Sequence, residues 1–229
     1  MQRKNQHDHK VPEIRLIKRQ EIWTLTAQGW VIFLAASASS IFFVINNLYP
    51  FLAITSPIKS ADALVIDGWI SDYALEQAAA EFKTGSYRQI FTIGAKIGQG
   101  FYLAEYKNFA EIAATTLSKL GIPKEKLIAI STPDVVKDRT NASAIALLQH
   151  ISETNLQIES INVFTTDAHA RRSWLIFKNI FAPKIKVGII SAKTQNYDCK
   201  KWWNSSEGVR VVISEAIAYI YARFVNWKL

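Results

Sequence analysis

The chain has 229 residues, of which 49% are hydrophobic, 20% charged and 12% aromatic, and it carries no repeat or low-complexity segment. That length buries one good core, so a single globular domain with an appendage is expected. The lone cysteine, Cys199, excludes an internal disulfide and a thiolate metal cluster, and the net charge of +8 is uneven: about +3 over residues 1–27, about −3 over 28–167 and about +8 over 168–229. A basic C-terminal third points to an anionic partner.

The first segment is polar and basic, with Arg3, Lys4, Lys10, Arg15, Lys18 and Arg19. Within it, IRLIKRQEIWTLTAQ reads either as a juxtamembrane strip drawn to anionic lipid headgroups or as a topology signal alone. From Gly29 to Ile54 there is no charged residue, and Trp30 and Tyr49 stand near the two ends. About 20 apolar residues cross a bilayer, so this run is expected to be a single transmembrane anchor. The positive-inside bias puts the N-terminus in the cytoplasm and the rest of the chain outside the plasma (inner) membrane, in the periplasm or its equivalent. A cleaved signal peptide fits less well because the polar lead is 28 residues long. A buried core helix fits less well because Asn46, Asn47 and Pro50 fall inside the run. The expected organisation is a basic cytoplasmic tail over 1–28, an anchor over 29–54 and an extracytoplasmic domain over 55–229.

Beyond Pro57, short β-branched runs at 61–67, 89–94, 126–132, 161–167 and 184–191 alternate with helical patterns at 71–84, 103–120, 140–153, 168–181 and 207–226. Gly85 and Gly121 stand where helix C-caps belong, and Pro123 follows the second. Alternating strands and helices with near-continuous apolar strands predict an α/β fold: a Rossmann-like three-layer domain whose mainly parallel sheet has about five strands, behind one N-terminal transmembrane helix. Right-handed crossovers bring every strand's C-terminal end to one edge, where ligands of open α/β sheets bind. That edge is expected to gather Asp67 and Gly68 after the first strand and Gly94 after the second. KDRTNAS, with Arg139 and Thr140, follows the third strand; Thr165, Thr166, Asp167 and His169 follow the fourth.

FTTDAHARRSWLIF, residues 164–177, poses the sharpest question. With Asp167 or Thr166 as N-cap, His169, Arg171 and Arg172 fall in the first helical turn, where each cation costs roughly 0.3–1 kcal/mol against the helix dipole unless an anion offsets it. Free N–H groups at the same end favour phosphate or carboxylate. His169 and Arg172 share a face and can grip one ligand together, with Arg171 beside them. The bland alternative is that the arginines pair with Asp167, Asp138 or Asp134 and His169 bonds a loop carbonyl.

The same residues resemble the signature of the SanA/ElyC/YdcF family of bacterial envelope proteins. Thr165, Thr166, His169 and Arg172 match its Thr-Ser-x-x-His-x-x-Arg pattern. VKDRTNASA is similar to its Ser-x-x-Thr stretch, with Thr140 on the threonine and Ser143 where asparagine is usual. DGWISD replaces the family's glycine-rich first loop, and Glu105 aligns with a family glutamate. The resemblance covers about residues 60–225. It implies a role in envelope biogenesis, cell-wall integrity or barrier function, without fixing a reaction.

Other motifs carry less. GAKIGQG lacks a Walker ending and a dinucleotide spacing, no Gly-x-Ser-x-Gly elbow occurs, and no His/Cys/carboxylate set has metal spacing, so no metal is expected and the cofactor is left open. KKWWNSSEG has an aromatic, basic look, but an extracytoplasmic location argues against nucleic acid. Trp202 and Trp203 then either close over the sheet edge or simply pack. Three functions remain open: an enzyme on a phosphorylated envelope precursor or lipid-carrier phosphate, a non-catalytic sensor of such an anion, or a structural partner of envelope proteins in the membrane. In the first, His169 is acid or base, Asp67 is a second carboxylate, and Arg172 binds the anion.

Overall fold

The computed structural model describes residues 23–225. The basic tail before Trp23, and with it the charges that set the expected topology, lies outside the described residues. Helix α1 spans Ala27–Leu52 and is long and apolar enough to cross a membrane. Trp30, Val31, Ile32, Phe33 and Leu34 are exposed. Its polar side chains bond within the helix: Ser40 Oγ donates to the Ala36 carbonyl at 2.8 Å, and the Asn46 and Asn47 amides donate to Phe42 and Phe43 at 2.7 and 2.8 Å. Such back-bonding is how polar groups persist in an apolar medium.

The described chain divides into two units, one ending at Ile41 and one beginning at Phe42. The last turns of α1 therefore belong to the α/β unit, with Leu52 fully buried. That unit runs β1 (Ala63–Asp67), α2 (Asp72–Thr84), β2 (Gln89–Gly94), α3 (Phe109–Lys119), β3 (Leu127–Ser131), α4 (Arg139–Glu153), β4 (Ser160–Thr166), α5 (Ala170–Phe181), β5 (Lys186–Ala192) and α6 (Ser206–Phe224). All five strands are parallel, in the order β3-β2-β1-β4-β5, giving the expected Rossmann-like α/β sheet.

Both faces of the sheet are covered, which is why its strands read as unbroken apolar runs. Val65, Phe91, Ile93, Val163 and Ile189 pack under α4 and α5 through Leu147, Phe177 and Phe181. Leu64, Ile66, Ile90 and Phe164 pack on the other face under α2 and α3 through Leu75, Ala78 and Leu117. A third cluster joins Leu52, Ala168, Trp202 and Val212, so Trp202 is a packing residue rather than a cover for the edge. Its indole Nε1 donates to the Ile45 carbonyl at 3.1 Å.

Most boundaries fall within two residues of expectation, and two differences bear on the site. The helix expected from 103 begins at Phe109, because Asn108 caps it, accepting from the Glu111 amide at 2.8 Å. The turn Asp167–His169 is a 3-10 turn ahead of α5 rather than its first turn. Asp167, with φ +50°, does not cap that helix; its carboxylate accepts from the Tyr197 hydroxyl. Gly121, at φ +87°, ends α3 in the left-handed region that favours glycine.

Candidate functional site

The strand order reverses direction between β1 and β4, and the crevice beyond the ends of those strands is where open α/β sheets take ligands. Asp67 ends β1, and Thr165, near the C-terminal end of β4, spans the crevice: its hydroxyl donates to Asp67 Oδ2 at 3.1 Å. Trp69 Nε1 donates to Oδ1 at 2.5 Å. Behind this carboxylate stands His169, its Nε2 3.7 Å from Oδ2 and the ring edge-on to Trp69 at 5.5 Å.

The far side of the imidazole is held by α6. His169 Nδ1 lies 3.0 Å from Glu215 Oε1 and 2.9 Å from Arg172 Nη2. A guanidinium only donates, so Nδ1 cannot accept from Arg172 and also donate to Glu215. We assign its proton to the bond with Glu215, since a bare nitrogen lone pair against a carboxylate oxygen is repulsive. Arg172 is itself committed to Glu215, Nε to Oε2 at 2.9 Å and Nη2 to Oε1 at 3.1 Å, and its Nη1 donates to Thr140 Oγ1 at 3.3 Å.

These contacts answer the question posed by the cations before α5. The anion that the helix start calls for is supplied by the chain itself, from Glu215. Arg172 is thus a clamp on the His169–Glu215 pair rather than a free grip for a ligand, and Thr140 completes the clamp. Arg171 points elsewhere: its Nε donates to the Phe51 carbonyl and its guanidinium lies 3.9 Å over the Phe51 ring, fastening the end of α1.

Burial sets the two carboxylates apart. It pushes Asp67 above the ordinary carboxylate range, against the opposing pull of His169, Trp69, Thr165 and Arg172. Burial acts in the same sense on Glu215, but the hydrogen bonds and charges of His169 and Arg172 outweigh it and hold Glu215 at about 2. Two carboxyl groups on either side of one imidazole, one firmly ionised and the other inclined to keep a proton, is the arrangement of an acid–base pair. His169 Nε2 is enclosed and has no hydrogen-bond partner among the described residues. His169 borders the smaller cavity with its ring, and the group that reaches the larger cavity is Asp67.

That open space is a cavity of about 620 Å³ over the ends of β1, β2 and β3, walled by Asp67, Trp69, Lys96, Phe109, Arg139 and Thr140. Among the described residues, neither Lys96 nor Arg139 has a carboxylate within ion-pair distance. Arg139 lies 5.9 Å over Trp69, and Lys96 3.8 Å over Phe101. A smaller cavity of about 280 Å³ opens on the β4 side beside Thr166, Asp167, His169 and Tyr197, and Trp69 walls both.

The remaining expected residues divide. Gly94 lines the larger cavity, and so does Ser143. Gly68 serves packing: a Cβ there would lie 2.7 Å from the Phe109 carbonyl oxygen and 2.8 Å from that of Ile93, so its absence lets α3 start close against the strand ends. Gly94 meets the same helix, with a Cβ position 2.6 Å from the Ala110 nitrogen. Glu105 is exposed on the β2–α3 connection and lines neither cavity. Glu215 was not anticipated, although a single carboxylate inside the apolar VVISEAIAY is a detectable signal. Among the described residues no group of three or more His, Cys, Asp or Glu is placed to hold a metal ion. The fold and site together define a Rossmann-like α/β domain with a carboxylate–imidazole–carboxylate row at its switch point, the imidazole buried between two partly exposed carboxyl groups. No protein-family model matches the chain, and no curated protein matches it.

Proposed function

We propose that the chain is a membrane-anchored envelope-biogenesis protein of the kind its SanA/ElyC/YdcF resemblance implies, and that it processes a phosphate-bearing envelope precursor or lipid-linked phosphate on the extracytoplasmic side. The ligand occupies the larger cavity, of a size usual for small-molecule sites. Arg139 and Lys96 hold its anionic group, and Asp67 moves a proton at the bound ligand. His169 exchanges that proton with Asp67, while Glu215 and Arg172 keep the imidazole in one orientation. The observation that carries the reading is Asp67: a carboxylate raised by burial, at the cavity wall, with an enclosed imidazole nitrogen 3.7 Å behind it.

A second reading, a sensor that binds the same anion without turnover, is favoured by the two hydrogen bonds that already fix both Asp67 oxygens. Thermal unfolding of the full chain in detergent micelles, with pyrophosphate, sugar phosphates and prenyl phosphates, tests both. A ligand at 100 times its Kd stabilises by about 2.7 kcal/mol. The wild type is expected to respond to one phosphate class and Arg139→Gln to lose the response. Asp67→Asn should keep it while losing turnover of that compound. Binding without turnover in the wild type selects the sensor; indifference to every phosphate sinks both readings. Without ligand, Asp67→Asn should match the wild type at acid pH and gain stability relative to it as pH rises, because the raised carboxyl costs stability once it must ionise.

A further inference from the structure

We propose a second site: a cavity at the C-terminal end of α1 that holds an anionic bilayer lipid by its phosphate headgroup. It rests on α1 crossing a bilayer and is independent of the chemistry at Asp67. Counted from Ala27, about 20 helical residues span a hydrocarbon core, which brings the helix to Asn46 and Asn47 at the headgroup level. There the α/β unit opens a cavity of about 990 Å³, with Asn46, Tyr49 and Pro50 of α1 on one wall and Lys193, Lys200 and Trp203 on the other.

The chemistry of that lining fits a lipid phosphate. Among the described residues, Lys193 and Lys200 have no carboxylate within ion-pair distance. The acid that also lines the cavity, Asp198, is occupied as a cap, accepting from the Lys200 amide at 2.8 Å. A lysine is a point charge suited to phosphate, and near an anionic surface each contributes about 1 kcal/mol of attraction. Trp203 is a side chain of the kind that settles at headgroup depth, apolar on one side and hydrogen-bonding on the other, while Tyr49 lends the wall its ring and keeps its hydroxyl on Asp167. The surface beside the cavity agrees. Tyr219 of α6 packs edge-on against Phe51 at 5.4 Å, and its neighbours Ile217 and Ile220 and the later Phe224 are 64%, 57% and 71% exposed.

The test uses the full chain in nanodiscs of phosphatidylcholine and phosphatidylglycerol in equal amounts, released into native mass spectrometry with retained lipids counted. Phosphatidylglycerol should be enriched roughly tenfold over phosphatidylcholine among retained lipids. The double variant Lys193→Gln, Lys200→Gln should return the ratio to that of the disc. Lys119→Gln with Lys124→Gln, at the opposite edge of the sheet, should leave the enrichment intact. Inorganic phosphate should not displace the lipid. A wild-type ratio equal to the bulk, an enrichment that survives in the double variant, or displacement by free phosphate each overturns the proposal. Alkaline carbonate extraction of the chain from vesicles separates the premise from the site: if the chain leaves the membrane, the anchor reading fails and the lipid site falls with it.

Discussion

The two halves of the sheet's C-terminal edge treat their charges in opposite ways. Beyond β4, His169, Arg172, Glu215 and Thr140 satisfy one another through contacts of 2.9–3.3 Å. Beyond β1, β2 and β3, Arg139 and Lys96 face a cavity with no carboxylate partner among the described residues. The half with the conspicuous motif is the frame, and the half with inconspicuous loops is where a ligand has room. Asp67 stands at the junction, bonded to the frame and open to the cavity.

Substitutions that break this contrast should differ in kind as well as size. Glu215→Ala leaves Arg172 and His169 without their counter-charge and should cost about 3–5 kcal/mol in denaturant unfolding of the full chain. The same interaction predicts an acid transition. Glu215 is lowered from 4.5 to about 2, so its contribution is complete above the unfolded value and is lost as pH falls from about 4.5 towards 2. The variant should lack that loss. Gly68→Ala drives a methyl against backbone oxygens at 2.7 and 2.8 Å and should cost about 1–3 kcal/mol. Should the variant instead fold normally and lose ligand response, Gly68 would belong to the cavity. Thr140→Val removes one hydrogen bond to Arg172 and should cost about 1 kcal/mol while leaving ligand binding in place. Arg139→Gln should change stability by less than about 0.5 kcal/mol, read by thermal melting, yet abolish the ligand-induced shift. A marked loss of stability in Arg139→Gln would mean that the cavity, too, is frame.

The sheet was legible because parallel strands buried on two faces must be apolar throughout, and the runs around Val65, Phe91, Val163 and Ile189 carry that requirement openly. Convergence of Asp67, Thr165 and His169 at one edge followed from right-handed crossovers alone. What escaped was contact between distant segments. Glu215 lies 43 residues beyond Arg172, and nothing local announces that α6 returns its carboxylate to the start of α5. The anion expected at that helix start was sought in a ligand for the same reason. The β2–α3 connection misled in another way: the helix was expected from 103, but the capping side chain of Asn108 sets the true start. Leu52 shows a third limit, since membrane length and core membership are separate demands and the last turns of α1 meet both.

Trp69 is a partition with one hydrogen bond of its own, to Asp67, and a cavity on either side. A ligand long enough to occupy both spaces must swing the indole aside and take that donor from the carboxylate. The donor holds Asp67 down against burial, so its departure strengthens the carboxyl's hold on a proton. Occupancy of both spaces would then be linked to proton uptake, with Trp69, half-exposed, as the side chain that couples them.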